Sequence, residues 1–157
     1  KIKLKKIIGE FDIVRSQVYE LEEPYRIHND SGKDNNSVYT CIIPLDLQPK
    51  GGVIVFDQWA ENFSYSLDDY YHNKESYNKL LKFNDREKII QNFNKNLRLP
   101  NTNDFKHIKC QDKIGFSIQK KFEFSFNKLV IFQSKFFHCS QNVVDFDNKR
   151  SLVIFTK

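Results

Sequence analysis

The chain has 157 residues, of which 39% are hydrophobic and 15% aromatic, led by 15 Phe; that suits a single domain with a real core and is too short for two ordinary ones. Its net charge of +5 comes from basic residues interspersed with 20 carboxylates, with no compact basic cluster interleaved with aromatics, which argues against a nucleic-acid partner. No apolar run approaches the roughly 20 residues of a membrane span, and neither a signal-peptide core nor a Cys-x-x-Cys pair is present, so a cytoplasmic protein off the membrane is expected, with Cys41, Cys110 and Cys139 as free thiols.

In chain order, FDIVRSQVYEL (Phe11 to Leu21) is rich in strand formers, and YRIHND after Pro24 carries a short second strand ending in polar residues. SGKDNN is turn chemistry; SVYTCIIPLDL reads as a strand, QPKGG as a tight connection and GGVIVFD as the next strand. From about Trp59 to Cys110 the pattern changes. Tyr77, Leu80, Leu81, Ile89, Ile90 and Phe93 fall loosely on one helical face, which predicts a helical insertion. Strand patterns return from Ile114: FEFSF alternates, LVIF is a short buried run and SLVIF closes the chain. The layout is strands, a helical insert, then strands.

His28 and Asp30 stand two apart at the end of a strand, so they share a face and can each offer a donor atom to one cation. The pair alone is common by chance. His138, after LVIFQSKFF, is a candidate third ligand from a second strand, and two His with one carboxylate on one side of an ion leave the other positions open. Arg150, 150 − 138 = 12 residues later at the head of SLVIF, is read as a guanidinium projecting from the next strand towards the same cavity, where its fork suits a carboxylate. His72 and His107 have no metal-like spacing and read as surface or loop histidines; Cys139, next to His138, is expected on the opposite face.

The stretches RIHNDSGKDNNSVYTCIIPLDLQPKGGVIVFD and NKLVIFQSKFFHCSQNVVDFDNKRSLVIF together resemble the 2-oxoglutarate and Fe(II)-dependent oxygenases, in their prolyl hydroxylase-like branch. The family pattern is HxD, a turn, a strand, a Gly-Gly step into a strand ending in Phe, then a strand leading to a distal His, with a basic residue on the last strand. The resemblance implies a mainly β fold with some helix (α+β), a double-stranded β-helix of the jelly-roll, cupin-like kind, spanning residues 1–157 as one domain with a helical insertion at about 59–110. It implies that His28, Asp30 and His138 hold iron and that Gly51, Gly52 and Phe56 mark the fold. Arg150 would bind the distal carboxylate of 2-oxoglutarate, with Thr40 and Tyr39 lining the same pocket. By the same resemblance the chain would use Fe(II), 2-oxoglutarate and O2, with ascorbate as reductant, to hydroxylate a small-molecule or peptide substrate while forming succinate and CO2. Trp59 and Tyr65, among the aromatics of the insert, would form a substrate lid. The chain departs from the pattern in the 12-residue step to Arg150, the wide gap of 138 − 30 = 108 between Asp30 and His138, and the absence of a tyrosine near Ile43 or Pro44. The segment before His28 is short for the family, and the chain has no initiator Met, as expected if an N-terminal helical layer has been trimmed. A cupin-type metal protein without 2-oxoglutarate and a non-catalytic β-sandwich for binding are the competing readings; oligomeric state is not legible.

Overall fold

The computed structural model describes residues 2–31, 37–61, 85–142 and 149–157. It is mainly β: two antiparallel sheets with few helices, packed as a β-sandwich. A short helix α1 (Ile2–Ile8) precedes β1 (Ile13–Leu21), β2 (Tyr39–Pro44) and β3 (Gly52–Trp59). After the one-turn helix α2 (Arg86–Ile89) and 3-10 turns at Asn103–Phe105 and Cys110–Lys113 come β4 (Ile118–Glu123), β5 (Val130–Gln133), β6 (Phe136–Ser140) and β7 (Lys149–Thr156). One sheet has the order β1-β7-β2-β5 and the other β4-β3-β6. No helix among the described residues is long and apolar enough to cross a membrane.

Side-chain alternation explains the layers. β3 carries the uninterrupted run Val53, Ile54, Val55, Phe56, all at most 4% exposed, because apolar partners lie on both of its faces. Val53 and Val55 point between the sheets and pack with Phe124, Val130 and Phe132. Ile54 and Phe56 point the other way, into a larger cluster with Ile27, Phe137, Cys139, Leu99, Phe105, Ile108 and Phe116. Residues 85–116 therefore cover the back of the three-stranded sheet. Of the expected helical insertion, residues 62–84 lie outside the described residues; residues 85–113 form turns anchored by the buried Arg86–Asp112 ion pair rather than long helices.

Three sequence expectations shift. The second strand, around YRIHND, is reduced to a single antiparallel bridge between His28 and His138. The alternating FEFSF leaves its ladder after Glu123: Phe124 still donates its N–H to Gly51 O (2.9 Å), but Asn127 turns the chain with φ 56° and leaves Phe126 half exposed. His138, expected beyond the end of a strand, lies within β6.

The Gly-Gly step has a steric cause at each residue. Gly51 has φ 71°, a conformation that L side chains rarely adopt. Gly52 lies against the neighbouring strand so closely that an added Cβ would meet the Phe122 carbonyl oxygen at 1.9 Å. Because that obstacle is backbone, Gly52→Ala must push β3 away from β4. Urea denaturation is expected to show a loss of about 2 kcal/mol or more; an unchanged midpoint would rule out the close approach.

Candidate metal centre

Backbone pairing brings the candidate ligands together. His28 N–H donates to His138 O (2.9 Å) and His138 N–H donates to His28 O (2.8 Å), a hydrogen-bonded antiparallel pair. Residues so paired project to the same face, and the two imidazole rings lie 4.2 Å apart. Asp30 follows on that face, its N–H held by Ser134 O at 2.9 Å. The residues between alternate away: Ile27 enters the core behind the sheet, and the buried Asn29 amide donates to Ala60 O (3.2 Å) and Lys135 O (3.5 Å). The segment 27–30 is thus fastened to β6 and its preceding turn at every residue.

A nitrogen of each ring and a carboxylate oxygen of Asp30 all lie within 4.8 Å of one another. His28 Nε2 is 3.8 Å from Asp30 Oδ1, and His138 Nε2 is 3.3 Å from Asp30 Oδ2. The other ring nitrogens are held by backbone. His28 Nδ1 faces Arg26 O at 2.7 Å and His138 Nδ1 faces Phe136 O at 3.1 Å; a carbonyl only accepts, so each Nδ1 carries a proton and each Nε2 is the ring atom left to bind a cation. Two Nε2 atoms and a carboxylate then converge, a donor set that a cation would complete. Ligand bonds of about 2.1 Å at right angles set neighbouring donors about 3 Å apart, so small side-chain rotations close these separations on one ion. Carbonyl partners on the distal ring nitrogens are the usual support of metal-bound histidine.

Electrostatics favour the ligand forms of His28 and Asp30. Burial, joined by the neighbouring His138, pushes the His28 imidazole down from 6.5 to about 4, against the pull of Asp30 and the Arg26 carbonyl. For Asp30 burial acts upward, but His138, then His28 and the Thr40 hydroxyl, outweigh it and hold the carboxyl at about 2. Access is one-sided: the His28 and Asp30 side chains are 23% and 16% exposed and His138 only 5%. Tyr25 lies against the His28 ring at 5.4 Å, and Phe132 lies against the His138 ring at 4.6 Å.

The other expected site residues divide. Thr40 joins the cluster, donating to Asp30 Oδ2 at 2.8 Å. Its strand neighbour Tyr39 falls on the opposite face. Arg150 is not brought in: its side chain is 59% exposed, with Nε 3.3 Å from Asp46 Oδ1. The adjacent Lys149 is instead the buried basic residue of β7, on the side shared with the buried Ser151 and Phe155, with Nζ 4.1 Å over the Phe124 ring. Burial pushes its ammonium down from 10.5 to about 8, opposed by Asp46. No sequence signal separated Lys149 from Arg150; only the strand register does. Trp59, a lid candidate, is half-buried at the end of β3 with Lys135 Nζ 4.2 Å over its ring, whereas Tyr65 and His72 lie outside the described residues. His107 accompanies the site only indirectly, with Nε2 3.2 Å from Tyr25 O. Cys139 packs behind the sheet, away from His138, where burial raises its thiol, and all three cysteines are free. No family model, curated protein or solved structure matches the chain.

The lowered His28 pKa has a stability consequence. Between pH 6.5 and 4 the unfolded chain binds a proton at this position that the folded chain refuses, so stability falls as pH drops through that window. Against His28→Gln, the metal-free parent is expected to lose about 3 kcal/mol more between pH 6.5 and 4 in urea titrations. Parallel pH profiles would show that His28 is not held neutral.

Proposed function

We propose that the chain is a 2-oxoglutarate and Fe(II)-dependent oxygenase built on a double-stranded β-helix, with His28, Asp30 and His138 holding the metal. The observation that carries this reading is the convergence of two Nε2 atoms and one carboxylate, each ring held by a backbone carbonyl. Two His and one carboxylate with open positions are the ligand set of non-haem Fe(II) oxygenases, and no fourth His, Cys or carboxylate joins the cluster among the described residues. Strand order supports the fold. Counting the His28 bridge as a reduced second strand, the sheets read first-eighth-third-sixth and fifth-fourth-seventh-second, the arrangement of a jelly roll.

Bound there, Fe(II) would supply the O2 chemistry that couples decarboxylation of 2-oxoglutarate, to succinate and CO2, with hydroxylation of a C–H bond. The chain itself supplies position and exclusion of water. Lys149 is the group we assign to the distal carboxylate of 2-oxoglutarate, in the role expected of Arg150: it is 6% exposed, cationic at neutral pH and on the inward side of β7. An ammonium there meets a carboxylate in a weakly solvated setting, where the ion pair gains most. Phe132, Phe124, Val53, Val55 and Val130 form the apolar wall between the sheets, and the substrate approaches past Tyr25, where His28 and Asp30 are open.

Anaerobic titration of the metal-free protein with Fe(II) and 2-oxoglutarate tests this through the visible charge-transfer band of the chelate. The band is expected in the parent and lost in His138→Ala. Lys149→Met should need on the order of 100-fold more 2-oxoglutarate, and Arg150→Ala less than about threefold more, since a buried charge pair is worth several kcal/mol and an exposed one little. A folded parent that binds iron without the band would overturn the oxygenase reading.

A further inference from the structure

A chain of hydroxyl groups runs from the Asp30 carboxylate into the interior. Thr40 Oγ1 lies 2.8 Å from Asp30 Oδ2, Ser134 Oγ 2.9 Å from Thr40 Oγ1, and Ser37 Oγ 2.8 Å from Ser134 Oγ. Thr40, Ser134 and Ser37 are 1%, 0% and 7% exposed. They come from β2, from the turn between β5 and β6, and from the residues before β2, so the topology assembles a line that no local sequence pattern announces.

Proton counting gives the line a direction. A carboxylate only accepts, so the single Thr40 proton is committed to Asp30 Oδ2. The Thr40 oxygen therefore receives the Ser134 proton, and the Ser134 oxygen in turn receives the Ser37 proton. The Tyr39 and Thr156 carbonyls, at 3.2 and 3.4 Å from Ser37 Oγ, are longer alternatives for that last proton. Three hydroxyl dipoles then point at one carboxylate oxygen, each polarising the next. Asp30 Oδ1, 3.8 Å from His28 Nε2, receives no donor of this line.

We propose that Ser134 and Ser37 are positioning residues: through Thr40 they engage Asp30 Oδ2 and so dedicate Oδ1 to the metal, making Asp30 a single-oxygen ligand. The consequence is an open coordination position, because a carboxylate that binds through both oxygens fills one more site on the ion. Ser134 fixes Asp30 twice, by its hydroxyl line to the side chain and by its carbonyl, which accepts the Asp30 N–H. This inference rests on the metal-centre reading and adds to it how many positions the protein itself fills.

The test uses Co(II) as the probe, with affinity from calorimetry and coordination number from the intensity of its visible d–d absorption. Ser134→Ala is expected to weaken Co(II) binding about tenfold, in the range of losses for outer-sphere partners, and to lower the d–d intensity as the less polarised Thr40 hydroxyl loosens its hold on Asp30 Oδ2 and both oxygens turn to the ion. Ser37→Ala, which removes only the last donor, is expected to shift the spectrum the same way by a smaller amount, and it decides the matter should Ser134→Ala not fold. Unchanged affinity and spectrum in a folded variant, with the parent binding Co(II), would overturn the positioning role alone. A parent that binds no Co(II) would overturn the metal centre and this inference with it.

Discussion

Two backbone hydrogen bonds between His28 and His138 join positions 138 − 28 = 110 residues apart, and the site depends on that bridge. An antiparallel hydrogen-bonded pair sets both side chains on one face at fixed separation, so one contact specifies where both imidazoles stand. It is short because its neighbours do the rest: Ile27 is gripped by the core behind the sheet, and Asn29 and Asp30 are tied to Ala60, Lys135 and Ser134. A ligand segment fastened on alternate sides holds two imidazoles and a carboxylate together against their loss of water.

Burial is the energetic cost of the site: it takes water from the Asp30 carboxylate and the His28 imidazole, acting upward on the first pKa and downward on the second. The fold offsets part of the cost with donors: carbonyl-fixed Nδ1 protons keep the rings in one tautomer, and the Thr40 hydroxyl stabilises Asp30. The remainder is left for a cation. A similar compensation appears at Lys149, where a buried ammonium rests on the Phe124 ring and feels Asp46.

Much of this was legible in the sequence because it depends on parity. His28 and Asp30 are two apart, the apolar runs VIVF and LVIF announce strands buried within layers, and Gly51-Gly52 announces a step that side chains would obstruct. What was not legible depends on register. Lys149 and Arg150 are adjacent, and a shift of one residue along β7 exchanges which of them faces inward; only pairing with β1 and β2 settles it. FEFSF alternates as a strand should, yet its second half is taken by the turn at Asn127. Ser37 and Ser134 carry no motif, since their meeting is a product of topology. The helical periodicity that included Ile89, Ile90 and Phe93 marks, in the described part, apolar contacts of short turns with the back of the sheet.

The site as proposed binds one cation through Nε2 of His28 and of His138 while their Nδ1 protons stay on backbone carbonyls. Long-range nitrogen–proton NMR of the histidine side chains, recorded before and after addition of Zn(II) as a diamagnetic probe, reads this directly. Protonated Nδ1 atoms on both rings in the metal-free protein, a metal-induced shift of both Nε2 resonances, and an unmoved His107 are expected. Nε2–H tautomers, or Zn(II) that leaves the His28 and His138 signals where they were, would contradict it.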